Sequence, residues 1–293
     1  MKYRYRIGGI TIATDIYYPY LPETDLPVEA SVIHGTVPES LEENVVDFPF
    51  IEANAGQLLL KIPRIGRYLV EAGTTITIQA LEHADCHDVE KQVLSFPFAA
   101  LSHQRGFLPI HGGAFVFQNE AVMLSGISGT GKSALLAKLN EDGYSILTDD
   151  ISNVKVVDGE VLVYPSFPYL MLWKDTLAKL NVDTANLTKL RGDLEKYLYP
   201  VHNNLPIEGV PLSKVFILGE RPLAVVPKGL KKIELIRANI FKPWMSDVFG
   251  NPQQQFKEVM AIAAKVKVEG FQVKRKEKLE INYQAFLEEL ARA

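Results

Sequence analysis

The stretch MLSGISGTGKSALLAKL, Met123–Leu139, decides the fold. It begins apolar, passes through a glycine-rich loop and continues as a run of helix formers. Gly126, Gly131, Lys132 and Ser133 fit the spacing GxxxxGK[ST]. The bland reading is a turn between a strand and a helix. The sharper one is a phosphate cradle, and its physics explains the spacing. Glycines let the backbone approach an anion closely. Successive N–H groups then face one cavity at the positive end of the following helix. Lys132 adds a full charge toward the β- and γ-phosphates, and Ser133 presents a hydroxyl to a divalent cation. The expected cradle comprises Gly126, Ser128, Gly129, Thr130, Gly131, Lys132, Ser133 and Ala134.

The flanking sequence has the order this motif requires. NEAVMLSG reads as a buried strand entering the loop, and KSALLAKLNED as a helix ended by Gly143. YSILTDD reads as a second strand closing on Asp149 and Asp150, 17 and 18 residues after Lys132. In a parallel sheet, strand C-termini line the ligand crevice. One carboxylate there can hold Mg²⁺, and the other can accept a proton from an attacking hydroxyl. Adjacent side chains on a strand face opposite sides, so a division of labour is natural. We assign Asp149 to the metal and Asp150 to the proton. The reverse order, or a metal-holding Asp beside a simple cap, are the other readings.

Elsewhere the pattern changes. YRYRIGGITIAT, QLLLKI, GRYLVEA and TTITIQA predict short strands in the first third, with turns at Gly8-Gly9 and Gly73. HADCHDVE reads as a polar connector rather than a metal site, although His83, Cys86 and His87 lie close together. Val89, Val93, Leu94, Phe98 and Leu101 then predict a helix, with Pro97 as start or kink and Gly106 as stop. NVKVVDGEVLVYP reads as a hairpin turning at Asp158-Gly159, LMLWKDTLAKL as a helix, SKVFILGE as a strand and YQAFLEELAR as a closing amphipathic helix. KVKVEGFQVKRKEK reads as a solvated strand or hairpin, with docking of an acidic peptide as the alternative. Tyr169 and Trp173 read as core, with stacking on a base as the alternative. The switch in pattern divides the chain into a β-rich part, 1–97, and a second domain, 98–293.

Composition narrows the class. The chain has 293 residues, 47% of them hydrophobic, which is enough to build a core. A net charge of -4 argues against general nucleic-acid binding. A single cysteine, Cys86, leaves no intrachain disulfide, in keeping with a reducing compartment. The N-terminus lacks the apolar core of a signal peptide, and no apolar run approaches the ~20 residues that span a bilayer. The expectation is a cytoplasmic protein with no membrane partner.

HQRGFLPIHGGAFVFQNEAVMLSGISGTGKSALLAKLNEDGYSILTDD sets a His a few residues before a short hairpin, then the glycine loop, then a strand ending in Asp-Asp. This series resembles the HPr serine kinase/phosphorylase family, whose core is related to phosphoenolpyruvate carboxykinase. It is more similar to stand-alone bacterial relatives such as lasso-peptide precursor kinases, through YRIGGITIATDI, GRYLVEAGTTITI and YPSFPYLMLW. The resemblance implies an α/β fold with a P-loop core and a smaller β-rich N-terminal domain. It implies ATP- and Mg²⁺-dependent phosphorylation of a serine in a peptide or small protein, and a homo-oligomer. It also implies that His111 works beside the transferred phosphate, with Lys132 and Asp150 as the other catalytic groups. Without the family, His111 is more ordinary as a core or turn histidine. RGDLEKYLYP is not the glycine-rich segment that carries phosphorylase chemistry in that family, so neither that activity nor HPr as acceptor is expected. Arg191 and Lys196 within it are candidates for phosphate or acidic-substrate contact, or for a solvated face. A kinase of a small-molecule alcohol and a nucleotide sensor without transfer are the rival functions. The base that the aspartates provide argues against the sensor.

Overall fold

The computed structural model describes residues 1–192, 194–201, 208–221, 226–250 and 252–292. It has a mixed α/β architecture with two large sheets and a small third one.

The first sheet is built from β1 (Tyr3–Ile7), β2 (Ile10–Thr14), β3 (Ala30–His34), β4 (Val46–Phe48), β5 (Ile51–Ala53), β6 (Gln57–Ile62), β7 (Gly66–Glu71) and β8 (Thr75–Ala80). Its order is β1-β2-β3-β8-β7-β6-β5-β4. β3 runs parallel to both its neighbours, and the other pairings are antiparallel. The period-2 pattern read from the sequence is real. Leu58, Leu60, Tyr68, Val70, Ile76 and Ile78 enter the main core on one face. Leu59 and Leu69 point the other way, against Val37 and Leu41.

Two helices cover the main face, α1 (Cys86–Gln92) and α2 (Phe96–Gln104). The segment HADCHDVE is therefore not merely a connector. Asp85 caps α1 by accepting from the backbone N–H groups of His87 and Asp88, at 2.9 and 3.1 Å. Pro97 lies in the first turn of α2, so it starts the helix rather than kinking it. The helix ends in a Schellman pair, with Phe107 N–H donating to Ser102 O and Gly106 N–H to His103 O, both at 3.0 Å.

Next come β9 (Leu108–Phe117), β10 (Glu120–Ser125), α3 (Lys132–Glu141), β11 (Ile146–Thr148), β12 (Ile151–Val157) and β13 (Glu160–Tyr164). They are followed by β14 (Tyr169–Trp173), α4 (Lys174–Lys179), β15 (Thr188–Lys189), β16 (Lys196–Pro200) and β17 (Val210–Gly219). The chain continues with α5 (Gly229–Ala238), α6 (Pro243–Phe249), α7 (Pro252–Lys265), β18 (Lys267–Gln272) and α8 (Leu279–Ala291). LMLWKDTLAKL thus divides into a strand and a short helix rather than forming one helix. Leu170 and Leu172 are buried while Trp173 is exposed, which is strand alternation.

The second sheet has the order β10-β17-β13-β12-β9-β11, with β18 on β17 and β10 also paired to β9. Only β10–β17 and β17–β18 are parallel. The strand that carries the aspartates is antiparallel to β9 and does not neighbour β10 as a parallel core would have it. Side chains alternate across this sheet. Val122 and Leu124 face α3 and α8 through Leu136 and Phe286, while Ala121 and Met123 face α5 and α7 through Ile236 and Ile262. Helices therefore cover both faces.

The first sheet packs against this body. Asn153 on β12 donates to Gly8 O at 2.8 Å and to Ser102 Oγ at 2.9 Å. Phe98, Leu101 and Met245 share the core of the first sheet. His103 on α2 is 4% exposed, bonds Phe241 O through Nε2 at 2.9 Å, and lies 3.1 Å from the Ser246 hydroxyl at Nδ1. Burial pushes its pKa down to about 4 from the usual 6.5, against the opposing pull of the Phe241 carbonyl. The unfolded chain thus binds the proton first on acidification. The His103 contribution is complete above pH 6.5 and is lost as the pH falls toward 4. The stability gap between wild type and His103→Gln is expected to narrow by about 3 kcal/mol between pH 7 and pH 4, read from urea midpoints.

No helix among the described residues is long and apolar enough to cross a membrane.

Candidate functional site

Strand β9 is the axis of the site. On one edge, Gly112 lies opposite Ser125, the last residue of β10 before the glycine loop. On the other edge, Ala114 pairs with Thr148 and His111 with Ile151. Asp149 and Asp150 fill the gap between those two pairings, and Gly112 N–H donates to Asp150 O at 3.0 Å. One strand therefore holds the loop on one side and the carboxylates on the other. The two glycines make the fit possible. A Cβ at Gly113 would lie 2.3 Å from both Asp149 O and Leu136 Cδ1. His111 stands within this strand, not ahead of a short hairpin.

Gly129 and Gly131 take φ of 82° and 91°, in the left-handed region, and a Cβ on either would face open space. Gly131 caps α3 with no side-chain hydrogen bond. The amides of the first turn thus keep their donors for a ligand. Ser128 to Ala134 line a cleft of ≈ 1070 Å³. Lys132 is 6% exposed and turned into the loop. Its Nζ donates to Gly126 O at 2.7 Å and Ile127 O at 3.1 Å, and lies 3.3 Å from His111 Nε2. Burial lowers its pKa, partly offset by Asp150 and Asp149, while Lys196 adds to the lowering.

His111 continues the chain of contacts, with Nδ1 at 3.5 Å from Asp150 Oδ1. Burial lowers its pKa from 6.5, and Lys132 lowers it further against the pull of Asp150, so the ring is neutral at pH 7. A neutral imidazole accepts from Lys132 at Nε2 and turns Nδ1–H toward Asp150. The backbone of His111 is fixed from two sides. Its N–H donates to Asn239 O at 2.8 Å, and the Ser125 hydroxyl donates to His111 O at 2.6 Å. Ser125 Oγ also lies 2.8 Å from Asn239 Oδ1.

The two aspartates have opposite surroundings. The Asp150 side chain is 39% exposed and borders the cleft. Asp149 is 4% exposed; Oδ2 accepts from Met171 N–H at 2.7 Å, and Oδ1 has no partner. Burial, then the charge of Asp150, pushes the Asp149 pKa up to about 6. The Met171 amide, Lys196 and the nearby Ser133 hydroxyl oppose that rise. A buried carboxyl held so, with one oxygen unused, has the chemistry to ligate a hard cation.

Residues read in the sequence as core or solvated faces also reach the cleft. Trp173, expected in the core, is 49% exposed and lines it. Lys196 Nζ lies 5.7 Å from the Trp173 ring centroid, across the β14–β16 pair. The basic run Lys274–Lys278, beyond the end of β18, borders the same cleft. Arg191 lines a separate cavity described below. Asp193, within RGDLEKYLYP, lies outside the described residues. His83, Cys86 and His87 join no group of three or more metal-binding side chains among the described residues.

No family model matches the chain, and no curated protein matches it. Among solved structures it is similar to the HPr(Ser) kinase/phosphatase from Coxiella burnetii, at 16% identity and a TM-score of 0.29. That match covers 62% of this chain and 97% of the other. The likeness is distant and assigns neither family nor chemistry.

Proposed function

We propose that the chain is a Mg²⁺-dependent phosphotransferase that moves the γ-phosphate of ATP to a serine hydroxyl of a peptide or small protein. The observation that carries this is the alignment of Lys132, His111 and Asp150, with contacts of 3.3 and 3.5 Å, beside a buried carboxylate oxygen that lacks a partner. Lys132 has a cation's worth of donors to turn from the loop carbonyls to the β- and γ-phosphates. Amides from Gly126 to Ala134 would cradle the same oxygens. Ser133 and Asp149 supply the hard oxygen ligands that Mg²⁺ accepts, few in number because phosphates and water complete its shell. When bound, the cation would neutralise charge on the transferring group.

Asp150 is the base in this reading. It is open to the cleft and takes the proton of the acceptor hydroxyl as that oxygen attacks the γ-phosphorus. His111 holds the Asp150 carboxylate and the Lys132 ammonium at a fixed spacing. Positioning and electrostatics account for most of the catalysis in such transfers. We assign the β-rich residues 1–97 to acceptor recognition and 98–293 to the transfer itself.

Lys132→Ala tests the donor site. It removes a charged hydrogen-bond donor worth about 1.5–3 kcal/mol, so ATP is expected to bind about 10–100-fold more weakly by calorimetry. Unchanged affinity would place the nucleotide elsewhere.

A further inference from the structure

Asp150 and Met171 border two cavities at once. The glycine-loop cleft opens on one side. On the other lies a cavity of ≈ 130 Å³, bordered by Asp149, Asp150, Phe98, Phe167, Leu190 and Leu194. Ile7 and Tyr20 of the N-terminal sheet help to close it. No residue of the glycine loop borders this second cavity. Asp149, 4% exposed, stands between the two spaces: its carboxyl borders this cavity and lies beside the Ser133 hydroxyl of the cleft. The exposed wall of the cavity is largely apolar, and Asp88, Lys91, Arg191, Asn153 and Ser166 border it beside the two carboxylates.

We infer that this second cavity receives the acceptor, as a primary alcohol carried on a compact, largely apolar frame. The inference rests on the phosphotransferase reading and names the acceptor side of that site. Geometry supports it. In-line displacement places the attacking and leaving oxygens on opposite sides of the phosphorus. With the donor phosphates on the loop, the acceptor comes from the side away from the loop, past Asp150. Its hydroxyl oxygen forms the bond to the γ-phosphorus, and the bond to the β–γ bridging oxygen breaks. ADP leaves with that electron pair, and the hydroxyl proton passes to Asp150. Size limits the guest, since an apolar cavity of about 150 Å³ accommodates a benzene ring. A folded protein surface does not enter such a space. A free small alcohol does, and so does one serine side chain with its immediate neighbours from a flexible peptide.

The test uses the full chain with labelled leucine methyl groups, observed by NMR. The probes are benzyl alcohol, N-acetylserine amide, a serine-containing heptapeptide and ADP with Mg²⁺. The alcohols are expected to shift the methyls of Leu190 and Leu194, and ADP those of Leu180 and Leu279, which border the cleft. Tighter action of the heptapeptide on Leu190 and Leu194 would name a peptide as the source, and action of the free alcohols alone would name a small molecule. Alcohol shifts confined to Leu180 and Leu279, or absent, would overturn the inference. Absence of any ADP shift would instead count against the phosphotransferase reading. Leu190→Trp and Leu94→Trp, both at the wall of this cavity and each checked for an unchanged melting temperature, should lower kcat/KM for the best acceptor at least tenfold. ADP affinity should stay within twofold. Unchanged kcat/KM in both variants would also overturn the inference.

Discussion

Asp150→Asn is expected to lower phosphoryl transfer by about 10²–10⁴-fold, the usual contribution of a positioned general base. The substitution keeps the shape of the side chain and an oxygen to face His111, whose Nδ1 lies 3.5 Å from Asp150 Oδ1. It removes only the capacity to take up a proton. ATP affinity should change far less than transfer, because Asp150 reaches Lys132 only through His111. Single-turnover transfer of labelled phosphate, with nucleotide binding measured in parallel, separates the two quantities. A loss of less than tenfold in the transfer step would mean that no base acts there, or that a different group does.

Asp149→Asn is expected to move stability and activity in opposite directions. The carboxyl is buried, and its pKa is pushed up from 3.8 to about 6. The folded state thus holds the proton more tightly than the unfolded chain does. Ionisation of Asp149 opposes folding above pH 6, and that penalty fades as the pH falls to 3.8. Its full size at pH 7.5 is about 3 kcal/mol. Asparagine carries no such charge and still offers an oxygen to the Met171 amide. The variant should therefore be more stable than wild type at pH 7.5 in urea titrations, with the gain disappearing near pH 4. Transfer should fall by more than about 10²-fold because the proposed cation loses a ligand. A variant less stable than wild type at pH 7.5 would show that the charge of Asp149 is already compensated without a cation. This is the pattern expected where function is kept at a cost in stability.

Features set by neighbours in the chain were readable in the sequence. The glycine loop, the Asp-Asp pair, the Gly8-Gly9 and Asp158-Gly159 hairpins and the stops at Gly106 and Gly143 all depend on a few adjacent residues. The course of Tyr169–Trp173 was not readable, because an apolar run before KDTLAKL fits a helix as well as a strand. Pairing with β16 settles it. The start of α1 was hidden in a polar stretch whose only signal is the Asp85 cap. The site itself depends on pairing between distant strands. Nothing near His111 announces that Asn239 will hold its backbone, or that β9 will join the loop and the aspartates from opposite edges. The exposure of Trp173 and the approach of Lys274–Lys278 to the cleft are of the same kind. Local patterns named the candidate groups, and tertiary pairing decided how they meet.

In the proposed reaction a triphosphate on the glycine loop gives its γ-phosphate to a hydroxyl beside Asp150. This transfer is tested most directly by incubating the protein with Mg²⁺, γ-labelled ATP and a panel of serine peptides and small primary alcohols, with Asp150→Asn alongside. Label is expected on the acceptor oxygen, with one ADP for each phosphate transferred and loss of both in the variant. ATP binding without transfer to any acceptor, in wild type as in the variant, would contradict it and leave a nucleotide-sensing module.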